Sequence, residues 1–205
     1  MKRRGVPLPG RPELSGQPWD TDTPGLHPVG AAGGSSIGLA LYSLGRLEVD
    51  AGSLDDALPL LEEALLLLRR IDDRRGVALT LNGLGRAALR RGLPLQAEPL
   101  VREALAAFAE LGNRVDVPEC LEELAFIADA VDQPLAAARL LGAAAAMRSL
   151  TGAVTTVDES AVSDLTQRLS ADPQHAAAYH DGSRFSLEQA VAYALSLAHA
   201  NNAGA

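Results

Sequence analysis

The chain has 205 residues, 47% of them hydrophobic and only 3% aromatic, and carries a net charge of −8 at neutral pH. It is long enough to bury one sizeable core of Ala, Leu and Val. The acidic balance excludes a general nucleic-acid binder, which needs a basic face to displace counterions from phosphates.

Residues 1–35 are rich in proline and glycine, lack hydrophobic periodicity and end in GAAGGS. They cannot bury enough apolar surface to offset ordering, so the sequence predicts a disordered leader there. Trp19, within QPWD, reads as an exposed tail residue, a short docking motif being the weaker alternative. The opening MKRR is not followed by the apolar core of a secretion signal. The run Leu65–Leu68 is far too short for a membrane span and meets two arginines. A cytoplasmic protein is therefore expected, with no membrane partner.

From Ser36 a period of forty residues sets in. LYSLGRLEVDAG from Leu41 to Gly52 returns as LNGLGRAALRRG from Leu81 to Gly92, and LEELAFIADAVD from Leu121 to Asp132 keeps the apolar positions. Leu44 and Gly45 recur as Leu84 and Gly85, then Leu124 and Ala125; Ala57 recurs as Ala97 and Ala137, Leu61 as Val101 and Leu141, Ala64 as Ala104 and Ala144. Each is read as a point where two helices touch. Such a period marks a solenoid of stacked units, none able to bury its apolar face alone.

Three units are predicted, 36–75, 76–115 and 116–152, each a pair of antiparallel helices. The first helices run over 37–50, 77–91 and 117–130, the second over 54–71, 94–111 and 134–149. Gly52 and Gly92 suit the left-handed residue that closes a helix, and Pro94 and Pro134 suit a helix start, where a missing N–H costs nothing. Pro59 and Pro99 fall a turn and a half inside their helices and are expected to bend them. Residues 153–200 are predicted as capping helices and 201–205 as a disordered tail. Ser186 followed by Gln189 is a capping box, and Leu187, Val191, Ala194, Leu195 and Ala198 form a stripe expected to pack on the preceding hairpin.

The spacing of Leu44, Gly45, Ala57 and Ala64, and its copy at Leu84, Gly85, Ala97 and Ala104, resembles the tetratricopeptide repeat, lengthened to 40 residues. That resemblance implies an all-α, right-handed superhelix of antiparallel hairpins with a helical cap. PLAAARLLGAAAAMRSLTGA from Pro134 to Ala153 and YHDGSRFSLEQAVAYAL from Tyr179 to Leu195 resemble the C-terminal region of LuxR-type transcriptional regulators and related predicted signalling ATPases. Those regulators carry a phosphate-binding loop and often a helix-turn-helix. Here the only lysine is Lys2, so the loop lysine is missing, as is a basic recognition helix. The resemblance then implies a free-standing or truncated regulator tail, a scaffold without motor or DNA reader.

Catalytic signals are weak, and no enzyme, cofactor or metal is expected. His27, His175, His180 and His199 lack metal-ligand spacing. The neighbouring carboxylates Asp55–Asp56, Glu62–Glu63 and Glu122–Glu123 point to different faces and read as solvated charge. Cys120, the only cysteine, reads as a buried, inert thiol in a reducing compartment. Binding is better supported. By the resemblance, the first helices line a concave groove, which assigns to it Tyr42, Arg46 and Val49, then Asn82, Arg86 and Leu89, then Glu122, Phe126 and Asp129. The groove would be basic at one end and acidic at the other and would take a protein or peptide, with Tyr42 and Phe126 as anchors. The alternative is a small-molecule inducer held within the superhelix, which calls for enclosed apolar volume near Phe126 and Met147. Exposed terminal repeats invite dimerisation.

Overall fold

A computed structural model describes residues 31–152 and 158–197. Most of the expected leader, with Trp19 and His27, and the tail from residue 198, with Ala198 and His199, lie outside the described residues. Nine helices and no strands are found among those described: α1 (Ala31–Ala51), α2 (Leu54–Arg70), α3 (Arg74–Arg90), α4 (Pro94–Glu110), α5 (Val117–Ala130), α6 (Pro134–Thr151), α7 (Glu159–Ser170), α8 (Pro173–Gly182) and α9 (Leu187–Ser196). The helices α1–α6 pair consecutively into three antiparallel hairpins, and α1 touches α3 as α3 touches α5. This is the expected helical-hairpin superhelix of tetratricopeptide type.

The turns repeat at half the sequence period. Gly52, Asp72, Gly92, Gly112, Asp132 and Gly152 all have φ between 57° and 85°, one every twenty residues. At the first five of these the same pair of hydrogen bonds closes the helix; Gly52 N donates to Val49 O and Ser53 N to Glu48 O, and Asp132 N donates to Asp129 O and Gln133 N to Ala128 O. This is the Schellman closure. Aspartate tolerates the left-handed region better than most side chains, which lets it stand in twice for glycine. At Gly152 the amide donates to Arg148 O, four residues back instead of three.

Two helices start earlier than expected. Helix α1 begins at Ala31, not 37, because Gly34 and Gly38 lie against Ile71 and Leu68 of the α2 end and Ser35 Oγ donates to Asp73 Oδ2 at 2.6 Å. The first repeat thus reaches back into the stretch expected as leader. Helix α3 begins at Arg74 because the Asp73 carboxylate accepts from Gly76 N at 2.8 Å. Pro94 and Pro134 sit in the first turns of α4 and α6. Pro59 and Pro99 stay inside unbroken helices on exposed faces, where water can take the carbonyls they leave free.

Leucines of the second helices fill the space that glycines open. Leu68 lies between Gly38 and Gly76, Leu61 between Gly45 and Gly83, and Val101 reaches 2.5 Å from where a Gly85 Cβ would stand. Leu44 does not belong to these contacts. It is 52% exposed, whereas Leu84 is half-buried and Leu124 only 2% exposed. This position faces the preceding unit, and α1 has none among the described residues.

The cap is not a fourth hairpin stacked in line. Helix α8 lies on α6, and α7 touches both. The contact is main chain to main chain, since a Cβ on Gly142 would overlap the Tyr179 carbonyl and one on Gly182 the Arg139 carbonyl. Helix α9 opens with the expected capping box; Ser186 N donates to Gln189 Oε1 at 2.8 Å and Gln189 N to Ser186 Oγ at 3.2 Å. It then crosses to α4 and α6, burying Ala190, Val191 and Ala194. Arg102 of α4 closes it by donating to the carbonyls of Ala194, Leu195 and Leu197, a cation on a helix C-terminus.

Candidate partner-binding groove

The first helices are joined by a buried polar seam. Arg46 and Arg86 hold the same register in α1 and α3, one face above acids of α5. Arg86, 5% exposed, donates through Nε to Glu123 Oε1 and through Nη2 to Glu119 Oε1, both at 2.6 Å, and through Nη1 to Asp50 Oδ1 at 3.3 Å. Arg46 Nη1 donates to the Tyr42 hydroxyl at 3.2 Å and lies 3.6 Å from Glu119 Oε1. Asn82 Nδ2 donates to Glu119 Oε1 at 3.3 Å, and its Oδ1 accepts from Cys120 Sγ at 3.4 Å.

Burial works against the Arg86 charge, but Glu123, Glu119 and Asp50 outweigh it and the guanidinium holds its proton more tightly than usual. Burial also pushes the Glu123 carboxyl up to about 7 despite the pull of Arg86. Its second oxygen, Oε2, has no hydrogen-bond partner. Burial, then the charges of Glu119 and Glu123, raise the Cys120 thiol well above its ordinary value, consistent with an inert side chain.

Beside the seam lies a cavity of about 660 Å³. Arg86, Leu89 and Arg90 come from α3, Glu123, Phe126, Asp129 and Ala130 from α5, Gly52 and Leu54 from the α1–α2 turn and the start of α2, and Asp158 and Ala161 from the start of α7. The lining joins an apolar patch of Leu54, Leu89 and Phe126 to a mixed set of charges. Arg90 Nη1 donates to Asp50 O at 3.4 Å, and Asp129 Oδ2 accepts from Arg168 Nη2 at 2.6 Å. Met147 is in the core and does not line it.

Of the nine residues assigned to the groove, Arg86, Leu89, Phe126 and Asp129 meet in the cavity wall. Tyr42, Arg46 and Asn82 belong to the seam. Two are corrected. Val49 is fully buried in the core of the first unit, because the apolar residue of α1 one turn from Arg46 packs inward on α2. Glu122 turns to α6, where Arg148 donates to its two oxygens at 2.6 and 2.5 Å. Glu122 and Glu123 do point apart, but both are buried and ion-paired and neither is solvated charge. The expected basic end is also replaced by mixed charge, since acids of α5 and Asp50 engage Arg46 and Arg86. Sequence reasoning missed Arg90, Glu123 and the α7 wall. Arg90 had a signal, one turn after Arg86 on the same face; α7 stands outside the repeat and had none.

No group of His, Cys, Asp and Glu among the described residues could hold a metal ion. None of the helices among them is long and apolar enough to cross a membrane. The tetratricopeptide repeat family model matches residues 36–110, so the first two hairpins are a tetratricopeptide-repeat region; α5 and α6 repeat the same architecture beyond that match. No curated protein matches the chain.

Proposed function

We propose that this chain is a non-enzymatic interaction module that binds a protein or peptide in the groove between α3, α5 and the start of α7. Tetratricopeptide repeats generally mediate contacts between proteins, and the observation that carries the reading is the cavity wall of Leu89 and Phe126 beside Arg90 and Asp129. An apolar anchor enters such a wall while charges fix its register. Tyr42, Arg46 and Asn82 hold the seam that fixes the spacing of the first helices. Direct nucleic-acid binding is not part of the function. We further read the chain as the repeat region of a bacterial signalling or transcriptional regulator, on the strength of the likeness of residues 134–195 to LuxR-type regulators. A cytoplasmic location goes with a buried free thiol at Cys120. The groove leaves the exposed end of the array free for a second copy.

A second reading, a small-molecule effector held in the same cavity, is favoured by its volume, which falls in the range of ligand pockets. Capture of partners by the full chain from cytoplasm of the source cell separates the two. Replacing Phe126 by Ala together with Arg90 by Glu should abolish recovery of a recurrent protein while circular dichroism stays unchanged. A partner retained by this double variant sinks the groove assignment. Arg86 and Glu122 are unsuitable for this test, because removing either leaves a buried ion without its partner.

A further inference from the structure

The face of α1 turned away from the array carries Ile37, Ala40, Leu44, Leu47 and Ala51, spaced alternately by three and four residues and all exposed. Ile37, Leu44 and Leu47 are 48%, 52% and 64% exposed. The same register in the other first helices is occupied. In α3, Val77, Leu84 and Ala87 pack in the cluster of the first unit, and in α5, Val117, Cys120, Leu124 and Ile127 are buried in the main core. In two units of three, then, this face receives a helix from another hairpin.

We propose that the stripe on α1 docks on the same stripe of a second copy of this chain, the two α1 helices running antiparallel about a two-fold axis. The three–four spacing is the seam that two helices share when they cross at a shallow angle. Antiparallel pairing with the axis between Ala40 and Leu44 sets Leu44 against the partner's Ala40 and Leu47 against the partner's Ile37, so that large faces small in the middle of the seam. Charge selects the same direction. The charged residues of α1 are Arg46, Glu48 and Asp50, all near its C-terminal end, and its first turn has no acid. Parallel helices would set Glu48 beside the partner's Asp50. Antiparallel ones set it beside the partner's N-terminal half, which carries no acid and lies toward the positive end of the helix dipole. Five apolar residues from each copy bury less than the ~1,600 Å² of a standard interface, so the association is a weak, reversible one. None of the five lines the groove cavity, and both grooves stay open.

Sedimentation equilibrium of the full chain from low to high micromolar concentration tests this. The chain should pass from monomer to dimer, and Leu47→Glu should weaken association by at least about tenfold with unchanged helicity, since the side chain is exposed in the monomer. Leu66→Glu, at an equally exposed position of α2 outside the stripe, should leave association as it is. A chain that stays monomeric throughout overturns the proposal, as it would if residues 1–30 or another protein covered the stripe. So does a dimer that survives Leu47→Glu or is lost with Leu66→Glu.

Discussion

Glycine joins helices in two different ways in this molecule. Inside the array, Gly85 of α3 faces a methyl of the Val101 side chain, with the main chain of α4 no nearer than 3.4 Å. Where the cap meets the array, Gly142 of α6 faces the main chain of Tyr179 and Gly182 of α8 that of Arg139. A side chain can rotate or be exchanged, whereas a carbonyl in a helix is held by its own hydrogen bonds. The array contact therefore varies from unit to unit, and the third unit already carries Ala125 at the Gly85 position, buried opposite Leu141 by register. The cap contact has no such freedom.

One substitution made in both places breaks or keeps that distinction. Gly142→Ala has the largest expected effect. The new methyl overlaps the Tyr179 carbonyl oxygen and meets Ser183 N at 3.0 Å, so α6 and α8 must part. Overpacking of this kind costs up to about 3 kcal/mol or more, against about 1 kcal/mol returned by the better helix former. Urea unfolding should show a midpoint well below that of the wild type. Gly85→Ala should cost less, because the atom it meets first is a side-chain methyl of Val101 and the main chain stands off at 3.4 Å. Val101 is stiff at χ1 in a helix, so α3 and α4 must shift slightly, and the same propensity gain offsets part of that cost. Equal losses at the two sites would remove the distinction.

What the sequence revealed follows the same division. The forty-residue period, the hairpin limits near Gly52 and Gly92 and the capping box at Ser186 were legible because each is a local demand on particular residue types. The twenty-residue rhythm of turns was hidden because Asp72 and Asp132 take the left-handed place of glycine. Gly38, Gly76 and Gly83 were overlooked because their partners, Leu68 and Leu61, belong to a different helix. The seam was misread for a deeper reason. Arg86 and Glu123 lie 37 residues apart, and a charge in an amphipathic helix looks solvated until its neighbour in space is known. Of the groove, the half contributed by α3 and α5 followed from register, while α7 closes it through tertiary contact alone.

The seam is a third kind of contact, and its expected effect is the one that depends on pH. Glu123 binds its proton more tightly in the folded chain, at about 7, than at its ordinary value of 4.5. Between those two values the folded state carries more protons than the unfolded one, so stability contributed by this group is full below 4.5 and is lost as pH rises through 7. Glu122 is shifted in the same direction by burial, despite Arg148. Glu123→Gln keeps the shape and an oxygen for Arg86 but cannot titrate. Against the wild type it should therefore gain on the order of 1–2 kcal/mol between pH 5 and pH 8, read from urea unfolding at each pH. Parallel curves for the two proteins would mean that Arg86 holds Glu123 ionised throughout, and that the seam is as insensitive to pH as the glycine contacts beside it.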